Sequence, residues 1–364
     1  MPILRPEIAA LRPYEVGRPI DEVVRAHGIN PADVARLTAN ESPEGPFPGV
    51  AEAVLEALHL SNRYPDNDAL DLTRALAGEL GVSQPNLMMG NGSVALIAEM
   101  TAAVGGPGTN VVYAWPSFVM YRFGAIWAGS SYTEVPLDQA FSLDLDALQA
   151  AIDDETRVVF LCNPNNPTGT IKTADEIEAF ARSVPRSVLV LIDEAYHDFV
   201  DDPRYRSAIP WCVETDNVVV LRTFSKVYAL AAHRIGYAVG RASTLIELRK
   251  IQAPLTVNRV AQAAALASLG QPEEVARRVA DNAAARHHLV GALGERGLEQ
   301  AESHTNFIYF RMPWEDSAAI SDEFTKRGVI IRPMSRGWMR VSVGSTLDNR
   351  RFVGALDEVL SGMT

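Results

Sequence analysis

Val188-Leu189-Val190-Leu191-Ile192-Asp193-Glu194-Ala195-Tyr196 is the stretch that decides the fold. Five consecutive aliphatic residues leave no polar face, so a strand over 188–193 must be covered on both sides. Such strands belong to a mostly parallel sheet with helices on either face, an α/β architecture. The run then stops on two carboxylates and a tyrosine. In open α/β sheets ligands bind beyond the carboxyl ends of the strands, so the residues that follow each strand are where chemistry is expected.

Outward from this strand the same pattern repeats. Strands are predicted at 109–113, 131–136, 157–162, 217–222 and 235–240, alternating with helices at 49–59, 68–80, 92–105, 117–128, 145–153 and 173–184. Helices at 242–251, 258–269 and 273–296 follow. A strand at 305–311, a helix at 315–327, strands at 329–333 and 339–344 and a helix at 348–361 then suggest a smaller α+β unit. The first 45 residues are irregular and Pro-rich, with one helix near 19–27, and read as an arm that packs on something else. The expected division is an arm over 1–45, a large domain over 46–255 and a small domain over 256–364. The change of pattern falls between Lys250 and Pro272.

The bulk composition narrows the function classes. The 364 residues exceed one typical hydrophobic core, and 47% hydrophobic with 21% charged residues is a globular balance. A net charge of −12 opposes nucleic-acid binding, which needs a basic footprint. It leaves room for an anionic ligand at a local arginine cluster. Two cysteines, Cys162 and Cys212, make no disulfide framework and point to a reducing cytoplasm. Met1 to Glu7 carries no long apolar stretch, so no signal peptide is expected. No apolar run reaches the ~20 residues of a membrane helix. The seven histidines form no metal-binding spacing, and no metal is expected.

Three consecutive strands deliver polar groups to one edge. After 157–162 comes Asn163-Pro164-Asn165-Asn166-Pro167-Thr168-Gly169, and after 188–192 comes Asp193-Glu194-Ala195-Tyr196. After 217–222 comes Thr223-Phe224-Ser225-Lys226, then Arg234-Ile235-Gly236-Tyr237. Each piece alone is ordinary: an Asn-Pro run is usually a turn, and a Ser-Lys pair is usually surface. In this order, at strand ends, they match the needs of pyridoxal phosphate. Its aldehyde needs a lysine, which then serves as general base, and Lys226 fits if burial and nearby cations lower its pKa. Its ring nitrogen needs a buried carboxylate, Asp193. Its phenolic oxygen needs donors, Asn166 and Tyr196. Its phosphate needs backbone amides at a helix N-terminus, offered by Gly92, Ser93 and Val94, with Thr223, Ser225 and Arg234 to complete the cradle. Phe118 is the candidate platform for one ring face, or else a core phenylalanine.

These motifs resemble those of the fold-type I pyridoxal-phosphate aminotransferases, in the branch that holds histidinol-phosphate and aromatic amino-acid aminotransferases. The resemblance spans nearly the whole chain. It includes Leu11-Arg12-Pro13-Tyr14, Asn40-Glu41-Ser42, Asn62-Arg63-Tyr64-Pro65-Asp66, Thr305-Asn306-Phe307 and Met339-Arg340-Val341-Ser342-Val343-Gly344, besides the strand-end runs. It implies a large domain with a seven-stranded-type, mostly parallel sheet, a smaller α+β domain, and a homodimer with shared active sites. By position, Tyr64 resembles the tyrosine that reaches the neighbouring subunit's cofactor phosphate. Tyr14 and Asn40 resemble arm residues that close over the substrate, and Arg340 resembles the arginine that binds the substrate's anion. Arg332 is a second anion contact or a strand-end surface arginine. His233 and Ala231-Ala232 depart from the family's pattern before Arg234. The short segment between Arg332 and Arg340 looks more like the aromatic enzymes, and within it Trp338 could line an aromatic pocket or cap the loop, while Arg336 could add to an anion site.

The reading that follows is an aminotransferase moving the amino group of phenylalanine, tyrosine or tryptophan to 2-oxoglutarate. The runner-up takes L-histidinol phosphate as donor. More remote are a lyase or decarboxylase of the same fold, which would share the lysine and the aspartate, and a cofactor-binding regulator, which would normally carry an added DNA-binding domain.

Overall fold

The computed structural model describes residues 3–14 and 19–363. The expected arm over 1–45 and small domain over 256–364 therefore include 1–2, 15–18 and 364, which lie outside the described residues. The aliphatic run forms strand Leu189–Asp193, buried at every position, in the middle of a seven-stranded sheet. The strand order is Leu87–Gly90, Gly236–Gly240, Val218–Thr223, Leu189–Asp193, Thr156–Cys162, Asn110–Trp115, Ser131–Pro136. Gly236–Gly240 runs antiparallel to both of its neighbours, and the other pairs are parallel. Because side chains alternate along a strand, Val190, Ile192, Val218 and Val220 enter one core, and Leu189, Leu191, Val219 and Leu221 enter another on the opposite face. Each fully buried aliphatic side chain contributes roughly 1.5–3 kcal/mol, which is why these strands take their positions whatever their loops carry.

Helices cover both faces and begin where the sequence supplies caps. Thr173 accepts from the amide of Glu176 while Glu176 accepts from the amide of Thr173, a reciprocal cap that starts helix Ala174–Ser183. Helix Gly92–Val104 starts at Gly92, whose φ of +75° suits glycine, and contacts the helix Met120–Ala128. That second helix begins three residues later than expected. Residues 117–119 form a turn in which Ser117 Oγ donates to Asn165 Oδ1.

A second sheet has the order Ala35–Leu37, Val329–Pro333, Trp338–Ser342, Phe307–Arg311 and its own core around Phe310, Phe324, Phe352 and Leu356. Two strands were not expected from the sequence. Ala35–Leu37 pairs in parallel with Val329–Pro333, and Leu87–Gly90 pairs antiparallel with Gly236–Gly240. Both are short, and their pairing partners lie far along the chain. Helix Pro272–Glu295 connects the two cores, packing on strand Phe307–Arg311 and on the turn His197–Phe199.

Beneath the sheet's carboxyl edge Arg222 meets Glu194 at 2.8 Å, both buried. Glu194 also accepts from Ser207 Oγ and Ala208 N. Removing one partner of such a pair leaves an uncompensated charge in the interior. Arg222→Met is therefore expected to lower the unfolding free energy by about 3–5 kcal/mol, read by urea denaturation of the purified protein. A loss below ~1 kcal/mol would mean that Glu194 is satisfied without the arginine.

Candidate active site

The register of the large sheet explains why separate motifs converge. Cys162 stands opposite Asp193, and Asp193 opposite Leu221, so the loops after three parallel strands leave from one edge. The reversed strand brings its beginning to the same edge, with Gly236 opposite both Thr223 and Gly90. The segment before it, Arg234, and the start of helix Gly92–Val104 therefore arrive there too. Gly236 permits this approach: a Cβ on it would stand 2.7 Å from Arg222 O and 2.8 Å from Ser93 N.

A cavity of about 510 Å³ occupies this edge. Ser93, Val94, Phe118, Asn166, Asp193, Tyr196, Thr223, Ser225, Lys226 and Arg234 line it from the large sheet's side. Tyr14, Asn40, Arg332 and Arg340 line it from the arm and the small sheet. Gly92 sits just behind, where a Cβ would come within 2.5 Å of Arg234 Nη2. Tyr64 is not in the cavity: it is 82% exposed, on the surface. Trp338 is not in it either. It stacks on Tyr309 of the small sheet at 4.4 Å and meets Phe141, from the loop after Ser131–Pro136, edge-on. Arg336 is exposed in the preceding turn, away from the cavity.

Lys226 Nζ donates to Ala39 O at 3.1 Å and lies 5.4 Å from the centre of the Tyr196 ring. Desolvation in the cleft lowers its pKa to about 8, with the Arg340 and Arg234 guanidiniums acting in the same direction and Glu41 and Asp193 against it. Asp193 Oδ2 accepts from Tyr121 Oη at 2.8 Å and Oδ1 from Ala195 N at 3.1 Å. Burial pushes the Asp193 carboxyl upward, and those two donors together with Lys226 pull it back. The Tyr196 hydroxyl accepts from Asn40 Nδ2 at 2.9 Å and Asn166 Nδ2 at 3.4 Å, which leaves its own hydrogen for another acceptor. Arg340 Nη1 donates to Asn166 Oδ1, and Arg340 Nε is buried without a partner. The Arg332 guanidinium lies 5.3 Å from the centre of the Tyr14 ring. Thr223 Oγ1 donates to Ser225 Oγ and accepts from Ser225 N.

The family described as Aminotransferase class I and II matches residues 32–356. The chain belongs to this family. It is 41% identical over 352 residues to an aromatic amino acid aminotransferase of Thermobifida fusca, covering 97% of this chain and 96% of that one. It is 39% identical over 360 residues to histidinol-phosphate aminotransferase 1 of Thiobacillus denitrificans, covering 98% and 93%. The histidinol-phosphate aminotransferase of Sinorhizobium meliloti, solved with pyridoxal 5'-phosphate, superposes with a TM-score of 0.92 over 100% of this chain and 99% of that one, at 29% identity. The protein is an aminotransferase with pyridoxal 5'-phosphate as its cofactor.

The residues at the strand ends fit that group. A buried carboxylate, a lysine with a lowered pKa, and a helix start kept open by Gly92 beside a guanidinium all face one cavity. The sequence reading missed Tyr121, which holds Asp193, and Phe123 and Trp127, which line the wall. Their spacing on helix Met120–Ala128, with Phe123 and Trp127 four residues apart, was the available signal.

Only the neutral amine attacks an aldehyde. Uptake of pyridoxal phosphate by apo-protein is therefore expected to accelerate with pH through a midpoint of about 8. Arg340→Met removes a cation that disfavours the charged lysine, so the midpoint is expected to move up, towards the ordinary lysine range. Stopped-flow absorbance reads both, and an unmoved midpoint would remove Arg340 from the causes of the shift. Gly92→Ala forces a Cβ onto the Arg234 side chain and is expected to weaken cofactor binding about tenfold or more with the fold retained. Circular dichroism and a binding titration check the two halves.

Proposed function

We propose that the protein moves the amino group of an aromatic amino acid to 2-oxoglutarate. The observation that carries this reading is the wall of the cavity, where Tyr14, Phe123 and Trp127 stand together with Arg332 and Arg340. A ring-bearing donor buries its ring against such a wall, while a guanidinium binds its carboxylate through paired hydrogen bonds. One observation favours L-histidinol phosphate instead. The cavity adjoins a second one of about 920 Å³ that Arg12 also lines together with Arg332 and Arg340, while Arg122 there is paired with Glu134, and three guanidiniums around one space would suit a phosphate dianion. The relatives divide the same way between the two activities.

In this reading Lys226 would hold the cofactor, Asp193 would partner its ring nitrogen, and Asn166 and Tyr196 would donate to its phenolic oxygen. Gly92, Ser93, Val94, Thr223, Ser225 and Arg234 would cradle its phosphate, and Phe118 would cover one ring face. When bound, the cofactor supplies a carbonyl carbon for amine exchange and a ring that withdraws electrons from the substrate carbon. Lys226 Nζ, in its neutral form, takes the proton from the donor's α-carbon. Arg340 fixes the donor's carboxylate, with Arg332, Tyr14 and Asn40 closing the substrate side.

The assembly in this reading is a homodimer. Tyr64 is exposed, as are Leu55, Leu58 and Leu60 shortly before it in the chain, apolar side chains that a second copy would cover, and Tyr64 would then reach the neighbouring site. Residues 46–255 would form the cofactor domain, with the arm over 1–45 and a small domain over 256–364. The two cysteines are free and buried, which suits a reducing compartment such as the cytoplasm. Among the described residues no helix is long and apolar enough to cross a membrane.

The visible spectrum of the holoenzyme should bleach on adding phenylalanine, and more slowly on adding histidinol phosphate. The reverse order would favour the second donor. Lys226→Ala is expected to lose turnover with every amine, and full activity in that variant would sink the assignment. Arg340→Ala is expected to raise KM for the donor roughly 10–100-fold, the worth of a hydrogen bond to a charged group, with cofactor affinity little changed.

A further inference from the structure

Tyr121 is wholly buried, and its hydroxyl spends its hydrogen on Asp193 Oδ2 at 2.8 Å. Its ring cannot swing away. It stacks on Phe160 at 4.3 Å with planes 13° apart, and it meets Phe118 and Tyr113 edge-on at 5.8 and 6.0 Å. A phenylalanine would fill this slot without burying a hydroxyl, so the hydroxyl's presence needs a reason beyond packing. Phe118 lines the cavity, so one aromatic cluster ties the wall of the cavity to the carboxylate in its floor.

We infer that Tyr121 is a positioning residue for the amino transfer: its donated hydrogen bond keeps Asp193 ionised and fixed in the cavity floor. The inference rests on the proposed role of Asp193 as partner of the ring nitrogen. The charges around Asp193 make the donor necessary. Glu194, the residue that follows it past the strand end, raises the Asp193 pKa, and Lys226 from the neighbouring strand end lowers it. Cys162 and the phenols of Tyr196 and Tyr205 also face it, and none of them brings positive charge. Lys226 gives up its charge when it acts as a nucleophile or base. Of the protein's own groups, two neutral donors then remain to hold the anion in a dry interior, the Tyr121 hydroxyl and the Ala195 amide. Arg222 is engaged with Glu194.

The test compares apo-protein carrying Tyr121→Phe, Asp193→Asn, or both, by titrating pyridoxal phosphate across the acid range, with kcat and KM measured on the holoenzymes. Binding that needs ionised Asp193 is lost as pH falls through its pKa. Losing the Tyr121 donor raises that pKa, so the loss should begin at higher pH. Tyr121→Phe is expected to weaken binding about tenfold and to move the acid limb up by about one pH unit. It should also lower kcat with the donor's KM nearly unchanged. In the Asp193→Asn background the same exchange should add nothing. An acid limb that Asp193→Asn moves and Tyr121→Phe does not would overturn the inference alone, as would an equal penalty in both backgrounds, the mark of a packing role. An acid limb that Asp193→Asn leaves in place would overturn the reading of Asp193, and this inference with it. If Tyr121→Phe fails to fold, 3-fluorotyrosine installed at position 121 is a stronger donor and should move the limb down. An unmoved limb there also overturns the inference.

Discussion

Asp193 carries a carboxylate into the interior at the end of a strand whose other residues are all aliphatic. An ionised carboxylate in such a place is costly unless it is hydrogen-bonded and faced by positive charge. Its partners are the Tyr121 hydroxyl from a helix, the Ala195 amide from the loop that follows, and Lys226 from the next strand end. Each is brought there by a different element, and only the parallel register of the sheet assembles them. The same burial that strains Asp193 lowers the pKa of Lys226. One desolvated pocket thus supplies both a retained anion and an amine that is easily deprotonated, the two properties that cofactor chemistry asks of the protein.

Around that pocket, hydrogen bonds join the two sheets. Asn40, at φ +54°, donates its amide to Ser342 Oγ, accepts at its carbonyl from Asn306 Nδ2, and donates its side chain to the Tyr196 hydroxyl. Arg340 reaches Asn166 and the Thr38 carbonyl. The small sheet therefore carries Arg340 to one side of the cavity and, through Asn40 and Asn166, is tied to the Tyr196 phenol on the other. Because these bonds are buried, a shift of one sheet relative to the other is felt at Tyr196.

The sequence made the large sheet legible because its central strands are aliphatic on both faces and each ends on a distinctive polar run. Asn166, Asp193, Tyr196, Lys226 and Arg234 were singled out for that reason, and all line one cavity. Leu87–Gly90 and Ala35–Leu37 were not found, since three or four residues carry too little periodicity and their pairing is non-local. Tyr121 escaped because a tyrosine on an apolar helix looks like core until its partner is known.

By itself, then, the sequence determined which residue types stand at strand ends, and hence the fold class and the cofactor chemistry. The tertiary structure alone decided how these groups see one another. It brought Tyr121 to Asp193 and set Arg340 close enough to Lys226 to lower its pKa. It also drew Trp338 into an aromatic stack away from the cavity. Strand-end identity is a local property, written in consecutive residues. Desolvation and charge proximity depend on distances between residues tens to more than a hundred positions apart, and only packing fixes those.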